Sequence, residues 1–324
     1  MTRRRAFLRS VAALAAAQAA GVRAQPARKV PVVGFLTSGG VDSLAQFRDA
    51  MRDLGYAEGR DLVIERRSSD GKPDGLPALA AELVRMNVDI IYATGPAAVK
   101  AARGATAQIP IVVLDLETDP VAAGFAASLG RPGGNVTGLF LDQPALAGKW
   151  LELLTEMLPG LRRVGVVWDT GTGAAQLAAA RAAARRLQLE LRVIEFRTVD
   201  EMQAGLRAAA EGRLQAVAML TSPLVSNNSR LLAEWATQAK MPGISPFRAF
   251  ADAGGLMAYG PDLDAFRRFS ATYVDRILKG AKPADLPIQQ PAKFQFVVNQ
   301  GTAKALGIVV PQSLLLRADE VVQR

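Results

Sequence analysis

Short apolar runs alternate with amphipathic segments along the chain from residue 30 onwards. The first run, residues 30–36, is followed by Thr-Ser-Gly-Gly, which predicts a buried strand that ends in a turn. Residues 42–54 then place apolar side chains on one face at helical spacing and stop at Gly55, which predicts a helix. Strands that alternate with helices of this length indicate parallel sheets with right-handed crossovers.

The same alternation continues to the end of the chain. Further strands are predicted at 62–65, 88–92, 109–114, 136–139, 164–168, 191–196, 216–220, 243–245, 256–259 and 294–298. Further helices are predicted at 76–86, 97–105, 145–158, 174–187, 199–210, 227–239, 263–278, 302–306 and 314–322. Two α/β units of about equal size follow one another without a structureless linker, so the sequence predicts two lobes.

Three strand-like segments, at 136–141, 256–261 and 287–290, join the predicted units. A chain that crosses three times gives two discontinuous lobes. Lobe one is predicted at 30–140 with about 261–288, and lobe two at 141–260 with about 289–324. Open α/β sheets bind ligands at the carboxyl ends of their strands, so we expect the site in the cleft between the lobes. Lobes joined by such hinges can close on a ligand.

The composition favours binding over catalysis. None of the 324 residues is cysteine or histidine. The lack of cysteine excludes disulfides, thiolate zinc sites, iron–sulfur clusters and a cysteine nucleophile. The lack of histidine excludes a Ser-His-Asp triad and the H-E-x-x-H metal motif. We therefore expect no catalytic residue, no metal and no cofactor.

The first 24 residues predict an export signal peptide. Residues 4–9, Arg-Arg-Ala-Phe-Leu-Arg, are similar to the twin-arginine motif, and an apolar run at 11–20 precedes small residues suited to cleavage at 22–24. A mitochondrial transit peptide and a basic tail are the alternatives. The run is too short to span a bilayer, and no cysteine follows it to carry a lipid. The expected location is the periplasm, without a lipid anchor.

The net charge of +9 reflects this leader in part. Without residues 1–24 the chain has 34 basic against 30 acidic residues, a net charge of +4. A small excess of this kind is poor support for nucleic acid binding, so we expect no nucleic acid partner.

Six segments in the same order resemble the substrate-binding proteins of ABC importers, in the family that includes tryptophan- and other aromatic amino acid-binding members. Among them are Thr-Asp-Pro-Val at 118–121, Arg-Pro-Gly-Gly-Asn-Val-Thr-Gly at 131–138 and Ala-Gly-Gly-Leu-Met-Ala-Tyr-Gly at 253–260. The others lie at 55–65, 278–287 and 305–308. The resemblance runs from about residue 30 to 322. It implies a type I periplasmic binding fold, capture of a small carboxylate or amino acid-like ligand between the lobes, and delivery by a monomer to a membrane permease.

Four candidate site residues follow two predicted strands of lobe one. Ser38 and Gly39 follow the first strand, Thr94 and Gly95 follow the strand at 88–92, and each pair opens a helix. Free amides and the helix dipole suit a ligand carboxylate there, although Ser or Thr can equally be an ordinary helix cap. Asp119 is a fifth candidate, either as an acceptor for a ligand ammonium or as the cap of the turn that follows it.

Lobe two supplies four further candidates. Arg248 can hold a carboxylate with two parallel hydrogen bonds or can lie at a solvated rim. Tyr259 can line an apolar pocket or belong to the core. Ser222 and Asn227 are neutral contacts. Amino acid-binding members of the family carry Asp-Asn-Thr where this chain has Ser-Pro-Leu at 222–224. Either the ligand therefore lacks an ammonium group, or Asp119 alone supplies the negative charge.

Two other functions are compatible with parts of the sequence. Gly171-Thr-Gly-Ala-Ala-Gln176 follows a predicted strand and is a partial dinucleotide fingerprint, with Gln176 in place of the third glycine. An exported enzyme that uses a nucleotide cofactor is therefore one alternative. The other is a receptor component that hands its ligand to a sensor instead of a permease. A DNA-binding regulator would need a helix-turn-helix before residue 30, where the leader stands.

Overall fold

The computed structural model describes residues 29–39, 42–141, 144–172, 174–291 and 293–323. The predicted signal peptide lies outside these ranges. No helix in the described part of the chain has the length and apolar character that a membrane crossing requires.

The first sheet has five parallel strands in the order β2-β1-β3-β4-β5. Its strands are β1 (Val32–Thr37), β2 (Val63–Ser68), β3 (Ile90–Thr94), β4 (Ile111–Asp115) and β5 (Val136–Phe140). Helices α1 (Asp42–Asp53), α2 (Leu76–Arg85) and α3 (Pro96–Ala105) connect them, and a 3₁₀ turn (Pro73–Gly75) precedes α2. The inner strands β1, β3 and β4 are almost wholly buried, because helices cover both faces of a parallel sheet.

The second sheet has seven strands in the order β12-β11-β10-β9-β8-β6-β7. Its strands are β6 (Arg163–Asp169), β7 (Glu190–Phe196), β8 (Ala216–Met219), β9 (Gly243–Ser245), β10 (Met257–Pro261), β11 (Phe294–Asn299) and β12 (Glu320–Val322). All pairs are parallel except β10 with β11.

The helices that accompany this second sheet vary widely in length. They are α4 (Pro144–Met157), α5 (Ala175–Leu187), α6 (Val199–Ala210), α7 (Pro223–Asn227), α8 (Ser229–Gln238), α9 (Arg248–Asp252), α11 (Gln300–Ala305) and α12 (Gln312–Arg317). Two 3₁₀ turns, Thr170–Thr172 and Pro283–Asp285, complete the regular structure.

The chain passes between the two sheets three times. It leaves the first sheet after β5 and returns after β10 into α10 (Leu263–Leu278), which packs against α1, β4 and β5. Residues 286–289 then stay beside the first sheet, where the Gln289 amide donates to the Gly138 carbonyl at 3.1 Å, before β11 rejoins the second. The predicted α/β architecture of two parallel-sheet lobes is therefore confirmed. Lobe one is the first sheet with α1–α3 and α10, and lobe two is the second sheet with its helices.

The structure corrects one predicted helix and adds a short one before another. Residues 314–322 form the end of α12 and the edge strand β12, because Asp319 exchanges hydrogen bonds with the backbone of Phe296 and draws the chain onto the sheet. The helix predicted at about 227–239 is α8, and a short helix that was not predicted, α7, precedes it, where the Ser222 hydroxyl accepts the Val225 amide at 3.0 Å.

Candidate functional site

A small cavity lies where the carboxyl ends of the two sheets face each other. We call it the cleft pocket. Lobe one lines it with Thr37, Thr94, Gly95, Leu114, Leu116, Glu117, Leu263 and Arg267. Lobe two lines it with Ser222, Pro223, Ser226, Asn227 and Phe247. The carboxyl-end position is the one expected from the strand order.

Two threonine hydroxyls form the polar floor of the cleft pocket. Thr37 ends β1 and Thr94 ends β3, and the parallel register sets them side by side. Thr94 Oγ1 donates to Thr37 Oγ1 at 2.8 Å, and Thr37 Oγ1 also accepts the Gly39 amide at 3.0 Å. Thr37 thus retains its own O–H as a donor for another group.

Thr94 is a sequence candidate that the structure brings to the pocket, whereas Thr37 was missed in favour of its neighbour Ser38. Ser38 is buried but does not line the pocket, and its carbonyl accepts the Gly71 amide at 2.7 Å. Successive side chains of a strand point to opposite faces, so only one of two adjacent residues reaches a given surface. The alternation of β1, in which Phe35 and Thr37 share a face, was the signal available in the sequence.

The two glycine candidates mark places where the lobes touch. Gly95 has φ +81°, which favours glycine, and a Cβ there would lie 2.7 Å from Pro223 Cγ. A Cβ on Gly39 would overlap the side-chain amide of Asn227. Both contacts join lobe one to lobe two, so the structure has the cleft in a closed arrangement.

Lobe two contributes Ser222, which caps α7, together with Pro223, Ser226 and Asn227 of that helix. The Ser222 hydroxyl caps this helix, as a serine in that position commonly does. The candidates Ser222 and Asn227 therefore both line the pocket.

Arg248 does not line the cleft pocket. Its Nη1 and Nη2 atoms donate to the two carboxylate oxygens of Glu320 at 2.7 and 2.8 Å, and its Nε donates to Asp252 at 3.1 Å. The guanidinium is thus engaged in tying α9 to β12, which matches the rim alternative.

Tyr259 and Asp119 also lie outside the pocket lining. Tyr259 stacks on Phe294 with ring centroids 5.9 Å apart and packs against the core of lobe two. Asp119 is exposed, and its Oδ1 accepts the amides of Val121 and Ala122 at 2.9 and 3.1 Å. Both residues therefore have the structural role that was the alternative to ligand contact.

Three buried carboxylates near the pocket were not singled out in the sequence. Asp115 ends β4, Glu117 follows two residues later and lines the pocket, and Asp169 ends β6 in the opposite lobe. Asp115 Oδ1 accepts the amides of Glu117 and Thr118 at 2.9 and 3.2 Å. Asp169 Oδ1 accepts the Gly171 amide at 2.8 Å.

Burial governs the protonation of these acids. It raises the pKa of Glu117 well above its usual value, and the neighbouring charge of Asp115 raises it further. Burial also raises the pKa of Asp115 and of Asp169, while hydrogen bonds from the Glu117 amide and from the Gly171 amide respectively act in the opposite direction. Of the three, Glu117 lines the cleft pocket, and its surroundings favour the protonated form.

Arg267 is the cationic residue of the pocket. It lies in α10, its side chain is 18% exposed, and Nη1 is 3.6 Å from Asp264 Oδ1. A mid-helix arginine carries no local sequence signal for a site. Its place in the pocket follows from the crossing that returns α10 to lobe one.

The partial dinucleotide fingerprint has a structural explanation. The buried Gln176 amide donates to the Thr221 carbonyl at 3.1 Å and accepts the Thr221 amide at 2.9 Å, which joins α5 to the segment after β8. Within the described ranges, no group of three or more His, Cys, Asp or Glu side chains is placed to hold a metal ion.

Comparison with known proteins gives a family over nearly the whole described chain. The family model for ABC transporter substrate binding protein matches residues 29–322. A tyrosine-binding protein from Clostridioides difficile is 26% identical over 266 residues, which are 80% of this chain and 75% of that protein.

Two solved structures have closely similar folds. A conserved domain protein from Vibrio cholerae is 27% identical with a TM-score of 0.81, over 90% of this chain and 100% of that one. A Streptococcus pneumoniae ABC domain in complex with L-Trp is 22% identical with a TM-score of 0.79, over 90% and 99%.

These likenesses confirm the predicted type I periplasmic binding fold. The matched family is one of solute-binding proteins and not of enzymes. The chain belongs to the ABC transporter substrate-binding protein family.

Proposed function

We propose that the protein captures a small amino acid-like or organic carboxylate solute in the cleft pocket, by closure of its two lobes, for an ABC importer. The observation that carries this proposal is a pocket whose walls come from both lobes at the carboxyl ends of their strands. Such a pocket is complete only when the lobes meet, so binding favours the closed arrangement.

Hydrogen-bond donors in the pocket suit the carboxylate of the ligand. The Thr37 hydroxyl, held in place by the hydrogen bond from Thr94, keeps its O–H as a donor, Asn227 lies across the cleft, and the Arg267 guanidinium adds a positive charge. A guanidinium can hold a carboxylate by two parallel hydrogen bonds. In this proposal Arg267 takes the role that the sequence suggested for Arg248.

The remaining surface of the pocket suits an apolar ligand side chain. Leu114, Leu116, Phe247 and Leu263 line it. Relatives named for tyrosine and solved with L-Trp support an aromatic or aliphatic amino acid as the first ligand to test.

Closure is supported by a third contact between the lobes. Arg197 Nη2, beyond the end of β7, lies 2.7 Å from Asp74 Oδ1 in lobe one. Both side chains are largely exposed, so the pair contributes at most about 1 kcal/mol. It adds to the glycine contacts at Gly39 and Gly95.

The cellular role completes the proposal. We propose that the twin-arginine leader takes the chain to the periplasm, where it acts as a monomer without a lipid anchor and delivers its ligand to a permease. The leader sequence and the family support this role.

Ligand binding is tested by thermal shift and calorimetry of the full chain against the common L-amino acids and small organic carboxylates. A true ligand raises Tm by mass action. Thr94→Val should weaken binding of that ligand about tenfold, since it removes the hydrogen bond that orients the Thr37 hydroxyl, a donor in the pocket. Thr272→Val, at a half-buried position of α10 outside the cleft pocket, is the matched control and should bind normally. Absence of any shift across the panel would overturn the proposal.

A further inference from the structure

Six arginines of lobe two gather at one edge of its sheet. Strands β6, β7 and β8 are parallel, so they begin at the same edge, opposite the one that faces the cleft pocket. The six arginines stand at or beside the starts of these strands. We call them the basic corner; they are Arg162, Arg163, Arg185, Arg186, Arg192 and Arg213.

Contacts between neighbouring segments place three of these arginines together. Arg163, the first residue of β6, donates from Nε to the Arg213 carbonyl at 2.6 Å. Arg192, in the adjacent strand β7, has its guanidinium beside Gly212, because a Cβ on that glycine would lie 2.6 Å from Nη1. The turn that holds Gly212 and Arg213 therefore brings the three side chains to one surface.

The other three arginines reach the same corner from β6 and α5. The Arg162 carbonyl accepts the amide of Glu190, the first residue of β7, at 2.7 Å. Arg185 and Arg186 occupy the last turn of α5, which ends just before β7. All three side chains are exposed, so their charges face water.

The basic corner carries an uncompensated positive charge. Within the described ranges, none of its arginines forms an ion pair with an acid. Two exposed acids, Glu190 and Glu211, lie among them. From residue 25 onward the chain has 34 basic and 30 acidic residues, so the six arginines and two glutamates leave 28 of each elsewhere. The net charge of +4 is therefore concentrated at this corner.

An apolar surface adjoins the basic corner. The Gln215 side-chain carbonyl accepts the amides of Arg162 and Arg163, each at 2.9 Å. Gln215 also lines a surface depression at the same edge of lobe two. The apolar side chains that line this depression with it are Met157, Leu158, Leu161, Ile308 and Val309.

Two side chains of this region are unusually exposed for their type. Val309 is 88% exposed and Leu316, in α12, is 78% exposed. Helix α12 is tied to the end of α4, next to the depression, by a hydrogen bond of 2.5 Å from Arg317 to Glu156. The other exposed large apolar side chains in the described ranges reach only 41–43%. The two most exposed aliphatic side chains therefore lie on the same side of lobe two as its uncompensated charge.

We propose that the basic corner, with Val309 and Leu316, is a docking surface for an anionic phospholipid bilayer. Guanidinium groups hydrogen-bond lipid phosphates and are attracted by the negative surface potential of such a bilayer. Aliphatic side chains gain from leaving water at the boundary between headgroups and acyl chains. Charge alone would suit any polyanion, and the exposed aliphatic side chains beside it are what favour a bilayer.

The docking surface is separate from the cleft pocket. It lies where the strands of lobe two begin, and the pocket lies where they end. A docked chain therefore keeps its cleft away from the lipid, and solute can still enter. Bilayer binding and ligand binding use different residues, so either can be lost without the other.

The test measures co-sedimentation with vesicles of phosphatidylglycerol mixed with phosphatidylcholine, and with vesicles of phosphatidylcholine alone. It uses the chain from residue 25, because the basic leader would itself bind anionic lipid and the family match at 29–322 is retained whole. We expect binding to the anionic vesicles only. It should be lost between about 0.1 M and about 1 M salt, as the Debye length falls from about 10 to about 3 Å.

A triple variant assigns the binding to the basic corner. It changes the three exposed arginines described above and is Arg162→Gln, Arg185→Gln and Arg186→Gln. Each arginine near an anionic bilayer contributes about fivefold to binding, so we expect a loss of about 100-fold. The matched control changes three exposed arginines of lobe one and should lose about twofold or less; it is Arg85→Gln, Arg131→Gln and Arg276→Gln.

A second pair of variants tests the apolar contribution. Val309→Ser should weaken vesicle binding about fivefold, because it removes an aliphatic side chain from the interface. Val121→Ser, at a 43% exposed position of lobe one, is its control and should bind like the parent chain. None of the changed residues lines the cleft pocket, so circular dichroism and ligand affinity should be unchanged in every variant.

Each other outcome overturns the inference. Binding to neither kind of vesicle, or to both alike, removes the anionic bilayer as the partner. An equal loss in the two triple variants makes overall charge responsible and not the basic corner. If Val309→Ser binds like Val121→Ser, the surface is one for a soluble polyanion and not for a bilayer. The proposed function is judged separately, by the ligand panel.

Discussion

The backbone of Gly39 lies against the side-chain amide of Asn227 from the opposite lobe, with no room for a Cβ between them. The φ angle of Gly39 is one that any residue can adopt. Glycine is required there only because a side chain would overlap Asn227. Its role is therefore specific to the closed arrangement.

Replacing this glycine should separate closure from folding. Gly39→Ala places a methyl group where the Asn227 amide lies, so the closed form is destabilised while the separate lobes are unaffected. Because a core overlap of one methyl group typically costs about 1–3 kcal/mol, we expect ligand affinity to fall about 5- to 150-fold. Calorimetry measures the affinity, and small-angle scattering measures the remaining closure at saturating ligand.

Gly104→Ala is the control, since a Cβ there meets no atom within 4 Å. It lies in α3, where alanine favours the helix, so its binding should equal that of the parent protein. Normal affinity in Gly39→Ala would show that the closed contact does not accompany binding.

The raised pKa of Glu117 predicts how stability depends on pH. In the range from the ordinary carboxyl value of 4.5 up to the folded-state pKa, the folded chain binds more protons than the unfolded one. The free energy of unfolding of the ligand-free protein therefore falls as pH rises through that range. Asp115 and Asp169 act in the same sense, because burial raises the pKa of each.

Glu117→Gln removes one of these charges and should raise Tm at pH 8, by roughly 2–4 °C for each kcal/mol recovered. The difference should shrink toward pH 4, where Glu117 is protonated and resembles the amide. Differential scanning fluorimetry from pH 4 to 8 measures this, with Glu211→Gln alongside. A gap in Tm that is the same at every pH, or a less stable variant at pH 8, would contradict the electrostatic explanation.

Replacing Arg248 is expected to leave ligand affinity unchanged. Because its guanidinium is paired with Glu320 and Asp252 at the far side of β12, Arg248→Ala should leave ligand affinity within about twofold of the parent. The loss of partly exposed ion pairs should lower the free energy of unfolding by about 1 kcal/mol or less. Urea denaturation and calorimetry measure the two quantities, and a large loss of affinity would return Arg248 to the site.

The fold was largely predictable because its signals are local. Each inner strand is a short apolar run that ends in a turn, and the three crossings follow strand-like segments. The last strand, β12, was missed because it is supported by pairing with β11, whose partner residues lie 23 positions earlier in the chain. Edge strands of this length resemble a helix in a short sequence window.

The site was predictable only where residues directly follow strands. Thr94 and Gly95 stand at the end of β3, and Ser222 and Asn227 stand in the segment and short helix after β8, which brings all four to the cleft pocket. The prediction that Arg248 contacts the ligand was not met, because its guanidinium pairs with Glu320. That residue lies 72 positions later in the sequence, where a local pattern cannot reveal it.

The acid nearest the pocket was misassigned by two positions. Asp119 stands in a recognisable motif, but its carboxylate is used by the turn, whereas Glu117 points into the cavity. No spacing rule distinguishes these two, because the chain after β4 is neither strand nor helix. Similarly, Arg267 depends on where a distant helix packs.

The route of α10 constrains how the protein is assembled during synthesis. This helix completes lobe one but is inserted between β10 and β11, two adjacent strands of lobe two. When a nascent chain has emerged only as far as β10, lobe one still lacks α10. The second sheet still lacks β11 and β12. Both halves therefore mature late and together, and a fragment cut at either junction should fail to form an independent domain.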